Sequence, residues 1–413
     1  MATSIGLRRH AQCIVSQAIG AVMPDAAVAR ALENRTFPGR VLLVAAGKAA
    51  WQMAKAAYHC LGDRIDDGIV ITKYGHVGGP ISRFACFEAG HPIPDENSFA
   101  ATREALKLVS GLNPTDTVLF LLSGGGSALF EQPLVSGEEL QDITAQLLAC
   151  GADIVEINTI RKRLSGVKGG KFALACAPAQ VYSIVLSDII GDPLDMIASG
   201  PAYPDSSTCA QAKAIAEKYQ LRLSHQAERC LEEETPKTLP NVTTQITGSV
   251  RELCHAAAEA AQKLGYEPRI LTDQLCCQAR EAGSFLASMA RTHLGSGRKL
   301  ALLAGGETVV KLTGRGLGGR NQELALSAAV GIDGMENVCI FSVGSDGTDG
   351  PTDAAGGYVD GTTARQLRQQ GISIYDVLQE NDAYRALEKT GGLIITGPTG
   401  TNVNDVAVVL IGG

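Results

Sequence analysis

The sequence predicts an α/β protein of two domains, the first a layer structure with a mainly parallel sheet. Three observations predict it. Short, continuous apolar runs alternate with longer alanine-rich stretches of helical period, the pattern of strands covered on both faces by helices. The 413 residues are 45% hydrophobic and 19% charged, which gives apolar surface for more than one core. The rhythm breaks between Glu232 and Ser249 (EEETPKTLPNVTTQITGS), where charge, proline and threonine replace it, as at a domain crossing. We place the N-terminal domain at residues 1–240 and the C-terminal domain at 241–413.

The elements follow in order. MATSIGLRRHAQCIVSQAIGAVM has basic residues early, and its apolar run is interrupted by Gln12, Ser16 and Gln17. It predicts an amphipathic helix, neither a signal peptide nor a membrane span. VLLVAA from Val41, GIVITK from Gly68, TVLFLL from Thr117 and VYSIVL from Val181 predict buried strands. Ser136 is placed as N-cap of a helix running to Cys150, with Glu139 reaching back to complete a capping box. Beyond the crossing, PRILTD, KLALLA and VCIFSV read as strands, and VAVVLIG as the last one.

The net charge of −7 excludes a general electrostatic grip on nucleic acid or an anionic membrane. An anionic ligand must therefore meet local cations. The eleven cysteines are scattered, and the adjacent Cys276 and Cys277 lack metal-ligand spacing. They read as reduced thiols of a cytoplasmic protein.

In open α/β sheets ligands gather beyond the carboxyl ends of the strands, so the loops there carry the search. Gly47-Lys48 follows VLLVAA, and Ser123-Gly124-Gly125-Gly126-Ser127 follows TVLFLL. That loop lacks the lysine of a P-loop, and Leu129 stands where a dinucleotide fingerprint needs a small residue. It reads as a backbone cradle for an anion, with a tight strand-to-helix turn as the plainer alternative. Lys48 works against the dipole of the helix it precedes, a conflict an anion would remove. In RKRLSGVKGGK, Lys168 and Lys171 lie among glycines and are candidates to clamp a phosphate, whereas Arg161 and Lys162 read as a solvated face.

Two acidic loops could hold magnesium, which usually takes one or two carboxylates and leaves the rest to water and phosphate. They are Asp188 with Asp192, and Asp346 with Asp349 and Asp353; for Asp349 and Asp353 turn chemistry is the preferred reading. Glu307 follows KLALLA, and GRGLGGRNQE delivers Arg320 and Asn321 to the start of a helix. A guanidinium there suits bidentate recognition of carboxylate or phosphoryl oxygens. His76 and His91 read as ordinary loop histidines.

AAGKAA, EAGHPIPDE, LLSGGGSALF, RKRLSGVKGGKFA, LSDIIGDPLDMIASGPAYPD, AGGETVVKLTGRGLGGRNQELAL, SVGSDGTDGPTDAAG and TGPTGTNVNDV, in that order, resemble the class II glycerate kinase family, some of whose members carry the name hydroxypyruvate reductase. The resemblance covers nearly the whole chain. It implies an N-terminal Rossmann-like glycerate kinase domain, a smaller MOFRL-type C-terminal α/β domain and an active site in the cleft between them. It implies phosphorylation of D-glycerate to 2-phosphoglycerate with ATP as co-substrate and Mg²⁺, and Lys48, Asp188 and Arg320 as essential residues. Ser123 to Ser127, Lys168 and Glu307 are then assigned to the nucleotide phosphates. Lys48, Arg320, Asn321 and Asp346 go to the substrate, and Asp188, Asp192 and Asp346 to the metal. The expected partners are small molecules, with no nucleic acid or membrane, and a homodimer is allowed. Two alternatives stay open: an NAD(P)H-dependent hydroxypyruvate reductase, and a non-catalytic nucleotide or sugar-phosphate sensor.

Overall fold

The computed structural model describes residues 4–412. They form two compact units, each built on a six-stranded sheet. One unit comprises Pro24–Ser187 and Asp192–Thr247; the other comprises Met1–Met23, Asp188–Gly191 and Gly248–Gly413.

The first sheet contains β1 (Val41–Ala46), β2 (Asp67–Lys73), β3 (Phe84–Ala89), β4 (Thr117–Leu122), β5 (Gln180–Leu186) and β6 (Val242–Gly248), in the order β3-β2-β1-β4-β5-β6. Pairings from β3 through β5 are parallel. This is the doubly wound order, whose switch point lies between β1 and β4. All six residues of β1 and of β4 are buried, which explains their uninterrupted apolar sequence. Around Leu140, Ile143, Leu147, Ile157, Ile160 and Leu231, four helices make a smaller core: Gly137–Ala149, Ile154–Leu164, Cys209–Lys218 and His225–Glu232.

The second sheet contains β7 (Glu267–Leu275), β8 (Leu300–Gly306), β9 (Val338–Gly344), β10 (Gly356–Asp360), β11 (Leu393–Ile394) and β12 (Asp405–Ile411), in the order β11-β10-β9-β12-β8-β7. β12 lies antiparallel between β8 and β9. Its alternate residues feed two cores: Val406, Val408 and Leu410 face the helices Ser4–Val22 and Val250–Lys263, while Ala407, Val409 and Ile411 face Ala279–His293 and Arg320–Gly331. The first helix buries Leu7, Ala11, Ile14, Val15, Ala18 and Val22 and leaves Gln12, Ser16 and Gln17 exposed. The Thr401 hydroxyl donates to the Val22 carbonyl at 3.0 Å across 379 residues of sequence.

The contact-defined units differ from a single cut at 240/241. The amino-terminal helix packs in the unit of the second sheet, because its apolar stripe is taken up by the helix Val250–Lys263 and by β9. The chain passes between units at Thr247/Gly248, inside the stretch where composition shifts, so β6 belongs to the first sheet. The expected capping box at Ser136 forms by half: Ser136 Oγ accepts the Glu139 N–H at 3.1 Å. The Glu139 carboxylate turns away and accepts from Ser224 N and Oγ at 2.9 and 3.0 Å, capping the helix that follows Ser224 to its neighbour instead. No single helix among the described residues is long and apolar enough to cross a membrane.

Candidate active site

At the switch point of the first sheet the loops after β1 and β4 are stitched together. Lys48 N–H donates to the Gly124 carbonyl at 2.9 Å, and Ala49 N–H to Ser123 Oγ at 3.1 Å. Gly47 has φ +127°, and a Cβ there would fall 2.2 Å from Ser123 Oγ, so only glycine lets the loops approach. Gly125 has φ +86°, and its missing Cβ would meet the His91 ring at 3.0 Å and Lys48 Cγ at 3.2 Å. Lys48, His91 and the glycine loop therefore surround one spot. Ser123 and Gly126 are buried, while Gly124, Gly125 and Ser127 are half-buried. Lys48 is exposed and makes no ion pair with the described residues.

Two groups steady this loop that the sequence reading had set aside. The His91 imidazole is pulled below its ordinary pKa, first by burial and then by Lys48, Lys73 and His76. It therefore meets the loop as a neutral ring, and an anion bound there would favour its protonation. Arg161, expected in solvent, is partly buried and donates from Nη2 to the Ser127 carbonyl at 3.0 Å.

The other cations of RKRLSGVKGGK are structural. Lys168 is fully buried, 3.1 Å from Glu131 Oε2 and donating to the Phe130 carbonyl at 3.0 Å. Burial pulls its ammonium down to about 8, with Glu131 opposing the fall and Arg161 adding to it. Lys171 Nζ donates to the carbonyls of Lys162, Arg163 and Ser165, capping the end of the helix Ile154–Leu164. Lys162, expected as a solvated residue, is buried and 3.0 Å from Asp205 Oδ1.

The second sheet gathers a different group. Because β12 is antiparallel, its first residue, Asp405, pairs with Gly306 and Gly344, the last residues of β8 and β9. That register sets Asp405 beside the loops carrying Glu307 and Asp346. Arg320, at the head of its helix, reaches both sides: Nε donates to Asp405 Oδ2 at 2.6 Å, Nη2 to Asp405 Oδ1 at 3.0 Å and Nη1 to Glu307 Oε1 at 2.8 Å. Burial works against the guanidinium charge, but Asp405 and Glu307 outweigh it and hold Arg320 above its ordinary pKa. Burial raises the Asp405 carboxyl, against the opposing pull of Arg320.

Asp349, expected to serve a turn, caps this helix: its carboxylate accepts Asn321 N–H at 3.1 Å and Gln322 N–H at 2.9 Å. Burial pushes it up to about 6, although both backbone donors pull the other way. Asn321 is buried, donating to Asp349 at 3.3 Å, and so holds the loop in place. These residues wall a cavity of about 900 Å³ with Glu307, Thr308, Arg320, Asp346 and Asp349 on its polar side and Val309, Val310 and Leu312 on its apolar side. The Thr308 hydroxyl is buried and has no hydrogen-bond partner.

Asp188 lies two residues beyond the end of β5, is half-buried and groups with the second unit, as does Ile190, which lines the same cavity. Asp192 Oδ1 is buried without a hydrogen-bond partner among the described residues. Asp346 Oδ1 accepts Thr348 N–H at 3.0 Å. Among the described residues no three His, Cys, Asp or Glu side chains cluster as a metal site. The structure thus brings Lys48 together with Ser123 to Ser127, and Arg320 with Glu307 and Asp346. Asp405 escaped the sequence reading; the signal was its place opening a strand whose antiparallel course the sequence does not reveal.

Comparison with known proteins agrees in extent. Residues 10–232 match a family described as a domain of unknown function, DUF4147, and residues 300–405 match the MOFRL family. The chain is 54% identical over 411 residues to the D-glycerate 2-kinase of Thermotoga maritima, covering 98% of both chains. It is 42% identical to the glycerate 2-kinase of Pyrococcus horikoshii, covering 98% of this chain and 97% of that one. A protein of Agrobacterium vitis named putative hydroxypyruvate reductase is 38% identical, with 99% and 95% covered. The crystal structure of glycerate kinase from Thermotoga maritima superposes with a TM-score of 0.94, covering 98% of this chain and 99% of that one at 54% identity. The chain belongs to the glycerate 2-kinase family, with a DUF4147 region followed by a MOFRL region.

Proposed function

We propose that this protein transfers the γ-phosphoryl group of ATP to the 2-hydroxyl of D-glycerate, giving ADP and 2-phosphoglycerate. The observation that carries the reading is the junction at the switch point, where Lys48 and the SGGGS loop are bonded together at the place an α/β sheet offers a ligand. The glycerate oxygen attacks the γ-phosphorus, the bond to the β-phosphate oxygen breaks, and the hydroxyl proton passes to a base. Such a transfer asks the protein chiefly for alignment and charge neutralisation.

The glycine loop and Lys48 hold phosphate oxygens, and Arg320 meets the transferring phosphoryl group or the glycerate carboxylate. Asp188 serves as base or magnesium partner, and Asp346 supports the substrate. A magnesium ion, when bound, neutralises charge on the nucleotide phosphates. The cavity-lining Asp346 fits an ion that takes only one or two carboxylates. Asp188, Asp192 and Asp346 are the residues that would hold it. Asn321 and Lys168 act by fixing the loops they are bonded to. A cytoplasmic setting and small molecules as the sole partners complete the proposal, with a homodimer allowed.

The reductase name borne by some relatives supplies the competing reading. Against it, the turn after β1 reads Gly47-Lys48-Ala49-Ala50-Trp51-Gln52, without the glycine fingerprint that cradles a dinucleotide pyrophosphate. The test is incubation of purified protein with ATP, Mg²⁺ and D-glycerate, followed by phosphorus NMR. A 2-phosphoglycerate signal is expected; no phosphoglycerate, with NADH consumed by hydroxypyruvate in a parallel tube, overturns the proposal.

A further inference from the structure

Arg320 is held by two carboxylates, and the quality of the two contacts differs. Asp405 takes the Nε and Nη2 edge in a two-point contact, from a side chain only 8% exposed. Glu307 takes Nη1 alone, at 2.8 Å, from a side chain 45% exposed. A bidentate pair on a buried carboxylate fixes a guanidinium in orientation, whereas a single contact to a half-exposed glutamate is worth little and is easily exchanged. The next residue along, Thr308, lines the cavity that Glu307 and Arg320 share, and its buried hydroxyl has no hydrogen-bond partner among the described residues. A carboxylate therefore sits where an anionic ligand would, beside a donor that still lacks an acceptor.

We propose that Asp405 is the positioning residue that aims Arg320, and that Glu307 is a placeholder which an anionic oxygen of the substrate or nucleotide displaces from Nη1. Glu307, expected among the nucleotide-binding residues, thereby acts as a competitor with the ligand. The cavity also carries Asp346, Asp349 and Glu323 against the single guanidinium. Anions are admitted only where Arg320 receives them, so the placeholder makes the site selective as well as weaker. This inference rests on the reading in which Arg320 meets a ligand anion.

Calorimetry on the full-length protein tests it, with D-glycerate alone in one arm and a non-hydrolysable ATP analogue alone in the other. Glu307→Gln should tighten binding of one probe by roughly 2- to 5-fold, the scale of a half-exposed ion pair. The arm that gains identifies the anion. The gain should disappear when Glu307→Gln is combined with Arg320→Ala. Weakened binding, no gain in either arm, or a gain that survives without Arg320 overturns the placeholder, the last because it would be general relief of an acidic cavity. Asp405→Asn should lower affinity for the same probe about tenfold, and Asp405→Glu should restore part of it if aiming is its role; a folded Asp405→Asn protein with unchanged affinity overturns the positioning part. If Arg320→Ala phosphorylates glycerate at the wild-type rate, the catalytic reading itself fails. If Arg320→Ala is inactive and Glu307→Gln gains nothing, only the placeholder fails.

Discussion

Lys48 in the loops of the first sheet and Arg320 in the cavity of the second unit, the two cations we propose for the ligand, are held in opposite ways. Lys48 is exposed, with no ion pair among the described residues, beside a loop shaped by backbone and by missing Cβ atoms. Arg320 is bound on three nitrogens by two carboxylates, in a cavity lined by further acids. An unpaired surface cation can be given wholly to function. A cation that neutralises a buried carboxylate serves stability as well, so the two roles cannot be altered separately.

The contrast is tested most severely by Arg320→Ala. Its kcat should fall by about 10³ or more if the guanidinium stabilises phosphoryl charge, and stability should fall by about 3–5 kcal/mol because Asp405 is left buried and unpaired. Steady-state kinetics and urea unfolding read the two losses; full activity, or full stability, would break the comparison on that side. Lys48→Ala should lower kcat by about 10²- to 10³-fold while the urea midpoint stays within roughly 0.5 kcal/mol of wild type. A destabilised Lys48→Ala protein would show that the lysine is structural after all.

Asp349 sharpens the comparison through pH. Its carboxyl is raised from 3.8 to about 6, so the folded protein holds the proton more tightly than the unfolded chain. The stability this group contributes is complete below pH 3.8 and is lost as pH rises through about 6. Thermal unfolding followed across that window should show a decline of roughly 2–3 kcal/mol, which Asp349→Asn flattens. The smallest effect is expected from Gly125→Ala. At φ +86° a Cβ costs about 1–2 kcal/mol, and its crowding of His91 and Lys48 should raise KM for ATP more than it lowers kcat.

The sequence made the first of these regions more legible than the second, for a physical reason. The junction of glycines, two serines and one lysine is local: Gly47-Lys48 and SGGGS each declare themselves in a few residues at a strand end. Continuous runs such as VLLVAA and TVLFLL announced buried strands, although not that they lie side by side. The second region depends on partners far apart in sequence. Arg320 meets Asp405 across 85 residues, and only the antiparallel insertion of β12 brings them together. The same distance effect explains Lys168, which reads as a phosphate clamp in RKRLSGVKGGK, and Lys162, which reads as solvated; both are buried, paired with Glu131 and Asp205. The amphipathic stripe of the first helix was plain; which unit would cover it was not, since an apolar face names no partner.

The placement of that helix bears on how the protein is made. Its contact with Thr401 spans 379 residues, and β12, which completes the second sheet between β8 and β9, is translated later still. At 5–20 residues per second a ribosome takes on the order of 20–80 s to cover that distance. Through that interval the stripe of Leu7, Ile14 and Val22 waits without its final neighbours, while the whole first sheet is synthesised and free to fold. The emerging chain thus carries an early apolar segment that it cannot yet store, a natural point for a chaperone to hold it and for truncated products to aggregate.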